Sequence, residues 1–339
     1  MKNVVILGAS GFVGYEIIRM CLMHSDINII ALSANRAAGE SPNLDKMQDN
    51  QKVSLKYQKL DEINFNDVDY IFNCLPNKSL YKITDLFSNR VRLIDLSADF
   101  RLDKPDDYLT WYGFQHDNLN LIDEFQYGLT EIYRDKIKVS KHIANPGCYA
   151  TSVLMPLIEL VKNDLIDADS IIVDSKSGYS GAGKTNNPQS LMLEVKETIK
   201  TYGVGDHKHI AEINQEISRN INNNTEIFFS ANLIPVERGI LSNIYVELKN
   251  SSHKEVHETL SMRFKNEPFI EIMPLDTFPS TKDVIGTNNL VIGVKKGYKD
   301  NRICIVSALD NLIKGAAGQA IQNFNVMNEF EETKGIINE

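Results

Sequence analysis

One cysteine of this chain stands where a thiol can do chemistry. Cys148 falls in "IANPGCYATSVLMPL", residues 143–157, where Pro146 and Gly147 break the preceding segment while Val153, Leu154, Leu157, Ile158 and Val161 recur at spacings of three and four. That period predicts a helix with one buried face, with Cys148 at or just before its N-terminus. Unpaired N–H groups and the positive dipole end favour a thiolate there. An unpaired cysteine is otherwise a small core residue, so a partner for its proton decides between the two readings. "GDHKHIAEINQEI" offers His207 and His209, about sixty residues further on. Ile210, Ile213 and Ile217 set a helical period that places His209 beside a second helix start, where the dipole keeps an imidazole neutral. Either histidine suits the base of a Cys-His couple. Residues two apart on a regular helix point to nearly opposite sides, so both share one task only if the chain before Ile210 is not yet helical.

A second chemistry is written near the N-terminus. "VVILGASGFVGYEII" places Gly8, Gly11 and Gly14, with Ser10 in the turn, between a β-rich run and an amphipathic helix. This is the context of a dinucleotide fingerprint: tight turn, close backbone approach to a pyrophosphate, and phosphate charge on a helix N-terminus. The spacing is GxxGxxG instead of the commoner GxGxxG. At the end of the second strand "IIALSANRAAGE" supplies Ser33, Asn35 and Arg36, with no acid before Glu40. NAD sites carry an Asp or Glu there, whereas hydroxyl, amide and guanidinium suit a 2′-phosphate, so the expected cofactor is NADP. The bland alternative is a polar loop with a solvated arginine.

Two further stretches follow apolar strands. "LSADFRL" (96–102) carries Ser97, Asp99 and Arg101, the arginine placed as a phosphate clamp at a strand's carboxyl end. "DSKSGYSGAGK" (174–184), with Lys176, Ser177 and Ser180, reads equally as a ligand loop or a mobile surface loop.

The elements that must position these residues change character along the chain. Residues 1–147 alternate short apolar runs with helical patterns, the rhythm of βαβ units and a parallel sheet. From 148 to 309 strands such as "SIIVDSKSG", "TEIFFSANLIP", "GILSNIYVEL" and "RICIVSAL" follow one another with fewer helices, which predicts a mixed or antiparallel sheet. The expected fold is α/β: a Rossmann-type NADP-binding domain (1–147), rejoined by a C-terminal helix (310–339), and an α+β catalytic and oligomerisation domain (148–309). Gly315, Ala316, Ala317 and Gly318 within that last helix suit close approach to another element or a ligand. Glu40–Gln58 reads as a surface loop with a short strand.

At 339 residues, 42% hydrophobic and 24% charged, the composition is that of a soluble globular enzyme with two domains. The net charge of −9 has no basic cluster, which argues against nucleic acid and membrane partners. Cys21, Cys74, Cys148 and Cys304 lie far apart without a CxxC or His/Cys cluster, so neither zinc nor a disulfide framework is expected, and a reducing cytoplasm fits. No apolar run has the length of a membrane span, and "NVVILGASG" is too short for a signal peptide. Partners are then a small-molecule substrate and further copies of the chain, for which the strands of the second half offer a sheet face.

"GASGFVG", "LSADFRL", "YGLTEI", "NPGCYAT", "KSGYSGAGK", "HKHIAEI", "PVERGIL" and "DNLIKGAAGQA" occur in that order along nearly the whole chain. Together they resemble the N-acetyl-γ-glutamyl-phosphate reductase family, within the group that shares the aspartate-semialdehyde and glyceraldehyde-phosphate dehydrogenase architecture. The sequence departs from the family pattern at Ala150 and Ala211, where proline is expected, and at Asn77, where histidine is expected. The resemblance implies Cys148 as nucleophile, His209 as the preferred base through its HxxE relation to Glu212, and His207 close behind. It also implies Arg101 and Lys176 on phosphate or substrate carboxylate, and Ser180, Gly181 and Asn311 near a nicotinamide. The implied reaction is NADPH-dependent reduction of an acyl phosphate through a thioacyl enzyme. The competing readings are an aspartate-semialdehyde-type or aminoadipyl-phosphate reductase, and a non-catalytic NADP-binding sensor.

Overall fold

A computed structural model describes residues 1–43, 55–116, 118–182, 192–193, 195–298 and 301–336. The chain divides into two compact units: Met1–Pro146 with the C-terminal segment that starts at Ala316, and Gly147–Gly315.

The first unit is built on a seven-stranded parallel sheet. Its strands are β1 (Lys2–Leu7), β2 (Ile27–Ser33), β3 (Tyr57–Gln58), β4 (Tyr70–Asn73), β5 (Arg92–Asp95), β6 (Phe125–Tyr127) and β7 (His142–Ala144), in the order β3-β2-β1-β4-β5-β7-β6. Val4–Leu7 and Tyr70–Asn73 are buried along their whole length, as strands covered on both faces are. Helix α1 (Phe12–Met23) joins β1 to β2, and α2 (Pro105–Tyr112), α3 (Leu119–Ile122) and α4 (Thr130–Val139) follow β5. The chain runs outward from β1 to β3 on one side and then to β5 on the other, so the order reverses between β1 and β4. In open α/β sheets that reversal marks the ligand crevice at the strands' carboxyl ends. Of the 40–58 stretch, residues 44–54 lie outside the described ones, and β3 occupies Tyr57–Gln58.

The second unit holds a seven-stranded mixed sheet in the order β12-β13-β14-β11-β8-β10-β9. Its strands are β8 (Ile166–Ser177), β9 (Lys200–Tyr202), β10 (Phe228–Leu233), β11 (Ile240–Leu248), β12 (Ile270–Ile272), β13 (Leu290–Lys296) and β14 (Arg302–Leu309). The central strands β8, β11, β14 and β13 pair antiparallel. Helices α5 (Cys148–Lys162), α6 (His209–Ile221) and α7 (His253–Phe264) belong to this unit, and α5 packs on both α6 and the sheet. Four buried serines line the contact between α5 and the sheet. Ser152 Oγ donates to Ser242 Oγ at 2.8 Å, and Ser242 and Ser175 hydroxyls lie 2.7 Å apart, with Ser307 3.3 Å from Ser152. Small hydroxyls let the helix approach the strands while satisfying one another.

The expected C-terminal helix is interrupted at its start. Ile313–Ala317 is a π-helical turn, and regular helix α8 covers Gly318–Met327. Asp310–Gly315, expected to return with that helix to the first domain, stay with the second unit. Buried Asp310 accounts for this: its Oδ1 accepts the amides of Leu312 (2.8 Å) and Ile313 (3.2 Å), and its carbonyl accepts the Gly315 N–H at 2.9 Å. Helix α8 then completes the first unit, buried along its length despite Gln319, Gln322, Asn323 and Asn325. Their amides are used: Gln319 and Asn323 both donate to the Gly128 carbonyl, and Asn323 Oδ1 accepts the Thr130 hydroxyl at 2.7 Å.

Candidate active site

Cys148 is the first residue of α5, with Gly147 as N-cap, no side-chain cap and no acid in the first turn. The Gly147 N–H donates to Glu212 Oε2 at 2.9 Å. A Cβ placed on Gly147 would lie 2.5 Å from His209 Nε2, so the imidazole rests against the backbone immediately before the cysteine. On another side, a Cβ on Gly315 would lie 2.7 Å from Cys148 Cβ. Two glycines thus clear the space around this residue, one for an imidazole and one for the chain leaving β14.

The histidines differ. His209 opens α6, and its backbone N–H donates to His207 Nδ1 at 3.1 Å while Ile210 N–H donates to the His207 carbonyl at 2.8 Å. The chain before Ile210 is therefore a capping turn in which both rings lie together, centroids 4.8 Å apart. His207 Nδ1 is an acceptor, so the neutral ring carries its proton on Nε2. Burial pushes its pKa down to about 4, Lys208 adding to the effect and Asp206 opposing it. Tyr149, Tyr202 and Phe229 surround the ring. His209 is buried, with Nε2 3.9 Å from Oε1 of fully buried Glu212. Tyr149 and Tyr202 hydroxyls lie 2.9 Å apart, and burial raises both pKa values, with the Cys148 thiol near enough to add to each.

Of the residues expected around a nicotinamide, Asn311 Nδ2 donates to Ser180 Oγ at 2.9 Å and Asn311 Oδ1 accepts the Gly239 N–H at 2.8 Å. Gly181 stacks over Ser177, whose hydroxyl would lie 3.1 Å from a Cβ placed there. Residues 183–184 of that glycine-rich stretch lie outside the described ones. Lys176 does not join them. Strand alternation puts Ser175 and Ser177 on the face that α5 covers, and turns Lys176 with Asp174 and exposed Ile172 to the opposite face. There the ammonium binds the Asp174 carboxylate, which also accepts Asn232 Nδ2 at 2.6 Å and Ser230 Oγ at 3.1 Å. Burial opposes ionisation of Asp174, but Lys176 and these donors outweigh it and lower its pKa. A role for Lys176 in holding phosphate or substrate carboxylate would therefore be played from this opposite face of the sheet.

In the first unit Gly8 has φ +71°, and a Cβ on it would lie 2.5 Å from the Cys74 carbonyl oxygen at the end of β4. A Cβ on Gly14 would lie 2.6 Å from the Gly8 carbonyl, whereas one on Gly11 meets only that oxygen at 3.4 Å. The first and third glycines are thus required by packing, and the second, N-cap of α1, keeps its outer side clear. Ser10 sits in the same turn. Among the described residues the glycines, the uncapped helix start and its acid-free first turn fit a dinucleotide pyrophosphate. Ser33 is buried, its carbonyl accepting the Ala9 N–H at 2.8 Å; Asn35 Oδ1 accepts the Leu60 N–H at 3.2 Å; Arg36 is exposed in the turn after β2.

After β5, Asp99 accepts the Lys78, Ser79 and Leu80 amides at 2.7–3.1 Å, and Asn77 Oδ1 accepts the Ala98 N–H at 3.0 Å. Asn77, the departure from the family's histidine, therefore braces this loop. Burial, with the Asp99 charge, pushes Asp95 up to about 6, against its bonds from Asn73 and Ser97. Arg101 is 8% exposed and donates from Nη2 to the Leu96 carbonyl at 2.9 Å.

Sequence reasoning met Glu212 only through its spacing from His209 and Gly315 only as a point of close approach, and missed Tyr202 at the site. The HxxE spacing, one helical turn, was the available signal for the first. Among the described residues no group of three or more metal-ligating side chains occurs, and no helix is long and apolar enough to cross a membrane.

Comparison with known proteins bears on both units. The semialdehyde dehydrogenase NAD binding domain family matches residues 3–140, and the semialdehyde dehydrogenase dimerisation domain family matches residues 148–311. The N-acetyl-gamma-glutamyl-phosphate reductase of Afipia carboxidovorans is 41% identical over 99% of this chain and 97% of its own length. That of Ehrlichia canis is 42% identical over the same shares. Among solved structures, aspartate semialdehyde dehydrogenase II of Vibrio cholerae, complexed with ASA, superposes with a TM-score of 0.72 at 18% identity, covering 97% of this chain and 98% of that one. At that identity the likeness is one of fold.

Proposed function

The chain belongs to the N-acetyl-gamma-glutamyl-phosphate reductase family, and on that premise we propose that it reduces the γ-acyl phosphate of N-acetylglutamate to the semialdehyde, releasing phosphate, through a thioester on Cys148. The observation that carries this reading is the arrangement at Gly147–Cys148, where a buried imidazole and a buried carboxylate from α6 meet the backbone at the start of the helix that carries the thiol.

His209 takes the Cys148 proton, and the thiolate attacks the acyl carbon. Phosphate leaves with the C–O bonding electrons, and a thioester remains on Sγ. A carboxylate resists reduction; a thioester does not. NADPH, when bound, supplies the hydride that reduces it. As the C–S bond of the resulting thiohemiacetal breaks, the aldehyde leaves and the electron pair returns to Sγ, where His209 restores the proton. His207, neutral and engaged in the capping turn, sets the start of α6 and thereby the place of His209.

Gly8, Ser10, Gly11 and Gly14 would hold the pyrophosphate of NADP, and exposed Arg36 with Ser33 and Asn35 its 2′-phosphate. Ser180, Gly181 and Asn311 would lie by the nicotinamide, and Arg101 would bind a phosphate or carboxylate of the substrate. A homo-oligomer in the cytoplasm is the accompanying expectation, in keeping with the dimerisation domain of the matched family.

The test runs the reaction backwards on the purified chain with NADP, phosphate and, in turn, N-acetylglutamate, aspartate and N-acetylaminoadipate semialdehydes. Phosphate-dependent NADPH formation is expected with the first at a kcat/KM at least about tenfold above the others. Preference for another aldehyde would reassign the substrate, and cofactor binding without turnover on any would make the chain a sensor.

A further inference from the structure

Two buried carboxylates follow one another at the carboxyl end of β5, and no step of the reaction above uses them. Asp95, the last residue of the strand, is fully buried. Its Oδ1 accepts the Asn73 side-chain amide at 2.7 Å and the Ser97 N–H at 2.9 Å, and its Oδ2 accepts the Ser97 hydroxyl at 2.9 Å. Ser97 Oγ in turn accepts the Asp99 N–H at 3.2 Å, and the Asp99 carboxylate takes the Lys78, Ser79 and Leu80 amides of the loop after β4. Arg101 ends the chain of contacts, with its guanidinium bound back to the Leu96 carbonyl and its N–H to that of Ala98. The two loops are thus laced together by charge, where neutral acceptors would serve at a smaller desolvation cost. Like charges this close also oppose each other's ionisation, a cost retained where a site must keep a fixed shape. From this lacing we infer that Asp95 is a positioning residue of the reaction, which through Ser97 and Asp99 holds the 96–101 loop in the shape that presents Arg101 to an anionic group of the substrate.

The inference rests on the role given to Arg101 above. Burial, with the Asp99 charge added, brings the Asp95 pKa up to about 6 against its bonds from Asn73 and Ser97. The other titratable groups that face it are Cys74 beyond the end of β4 and Tyr108 on α2, and burial raises the pKa of both, so that both stay protonated in the working range. Above about pH 6 the Asp95 carboxylate accepts all three of its donors. Below it, a proton turns one oxygen into a donor, a group of Ser97 or Asn73 loses its acceptor, and the loop slackens. Anion binding should therefore weaken as pH falls through that value.

The experiment is a double-mutant cycle of Asp95→Asn and Arg101→Ala on the full chain, run in the reverse direction with N-acetylglutamate semialdehyde, phosphate and NADP. At pH 7.5 Asp95→Asn, which keeps the shape and removes the charge, should lower kcat/KM about five- to tenfold for whichever of phosphate and aldehyde Arg101 holds, through KM, with kcat within about twofold. The ratio of wild type to variant cancels the substrates' own titration and should approach one below pH 6. In the Arg101→Ala background Asp95→Asn should add less than about twofold, because the residue through which it acts is gone. An equal loss with and without Arg101, or a ratio that does not change with pH, overturns the inference. Should Asp95→Asn melt below assay temperature, Ser97→Ala takes its place in the cycle, and an equal loss in both backgrounds overturns the inference there. Hydrogen exchange of residues 77–80 and 96–99 separates this from the proposed reaction. At pH 7.5 their protection in Asp95→Asn should fall to the value that wild type shows at pH 5, relative to intrinsic rates. A chain that shows this loss but turns over no semialdehyde would overturn the proposed reaction and leave the lacing of the loops standing; unchanged protection overturns the lacing itself.

Discussion

Two helix starts in this chain share the same local chemistry and put it to different uses. Both α1 and α5 have a glycine N-cap, no side-chain cap and no acid in the first turn. At α1, Gly11 leaves its outer side clear, as a noncovalently bound phosphate group requires. At α5, Gly147 is covered: its N–H is taken by Glu212 and its Cα faces His209. A helix N-terminus left open suits a ligand's charge, and one closed by an imidazole and a carboxylate suits a charge made on its own first side chain.

The comparison breaks most sharply at the thiol. Cys148→Ser should lower turnover by more than about a thousandfold with NADPH affinity retained, checked by steady-state rates and cofactor fluorescence titration. His209→Asn should cost roughly two to four powers of ten in kcat and flatten the acidic limb of the pH profile. Matched alanine substitutions at the two caps sharpen the contrast. Gly147→Ala drives a methyl into His209 and should lower kcat roughly 10- to 100-fold, whereas Gly11→Ala has room to fold and should raise the Michaelis constant for NADPH while leaving alkylation of Cys148 unchanged. Equal effects of both variants on alkylation would erase the distinction. A smaller change, about tenfold in the NADPH Michaelis constant with NADH unaffected, is expected from Arg36→Ala.

The least effect lies in stability. With its folded pKa lowered from 6.5 to about 4, His207 binds fewer protons in the folded chain than in the unfolded one across that window. Its contribution is intact above about pH 6.5 and is lost as pH falls toward 4, by up to about 2 kcal/mol at pH 5. His207→Asn, whose side-chain oxygen can still accept the His209 N–H, should lose less on acidification from pH 7 to 5, measured by denaturant melts.

What could be read from the sequence tracks how local the determining physics is. The βαβ rhythm, the glycine turn and the helix beginning at Cys148 are set by period and by turn residues within a few positions, and each appears where expected. The face on which Lys176 lies is set by where α5 docks, through Ser152, Ser242 and Ser175 from three elements. Period-two alternation shows that Lys176 shares a side with Ile172 and Asp174, but not which side a helix covers. Glu212 was legible only as a spacing from His209, for a related reason. An acid at one helical turn from a histidine looks like an ordinary surface pair until the burial of both is known. The π-turn at Ile313–Ala317 had no local cue beyond its small residues; it answers to Asp310, whose oxygens hold three amides in the stretch that follows.

The path of α8 also bears on how the chain folds as it is synthesised. The first 146 residues leave the ribosome well before the helix that completes their unit, since the whole of Gly147–Gly315 is translated in between. At synthesis rates of about 5–20 residues per second that interval is roughly ten to thirty seconds. Throughout it, the Gly128 carbonyl and the Thr130 hydroxyl await Gln319 and Asn323, and the apolar surface reserved for Ile321 and Phe324 stays open to water. The nucleotide-binding half is thus made first and finished last.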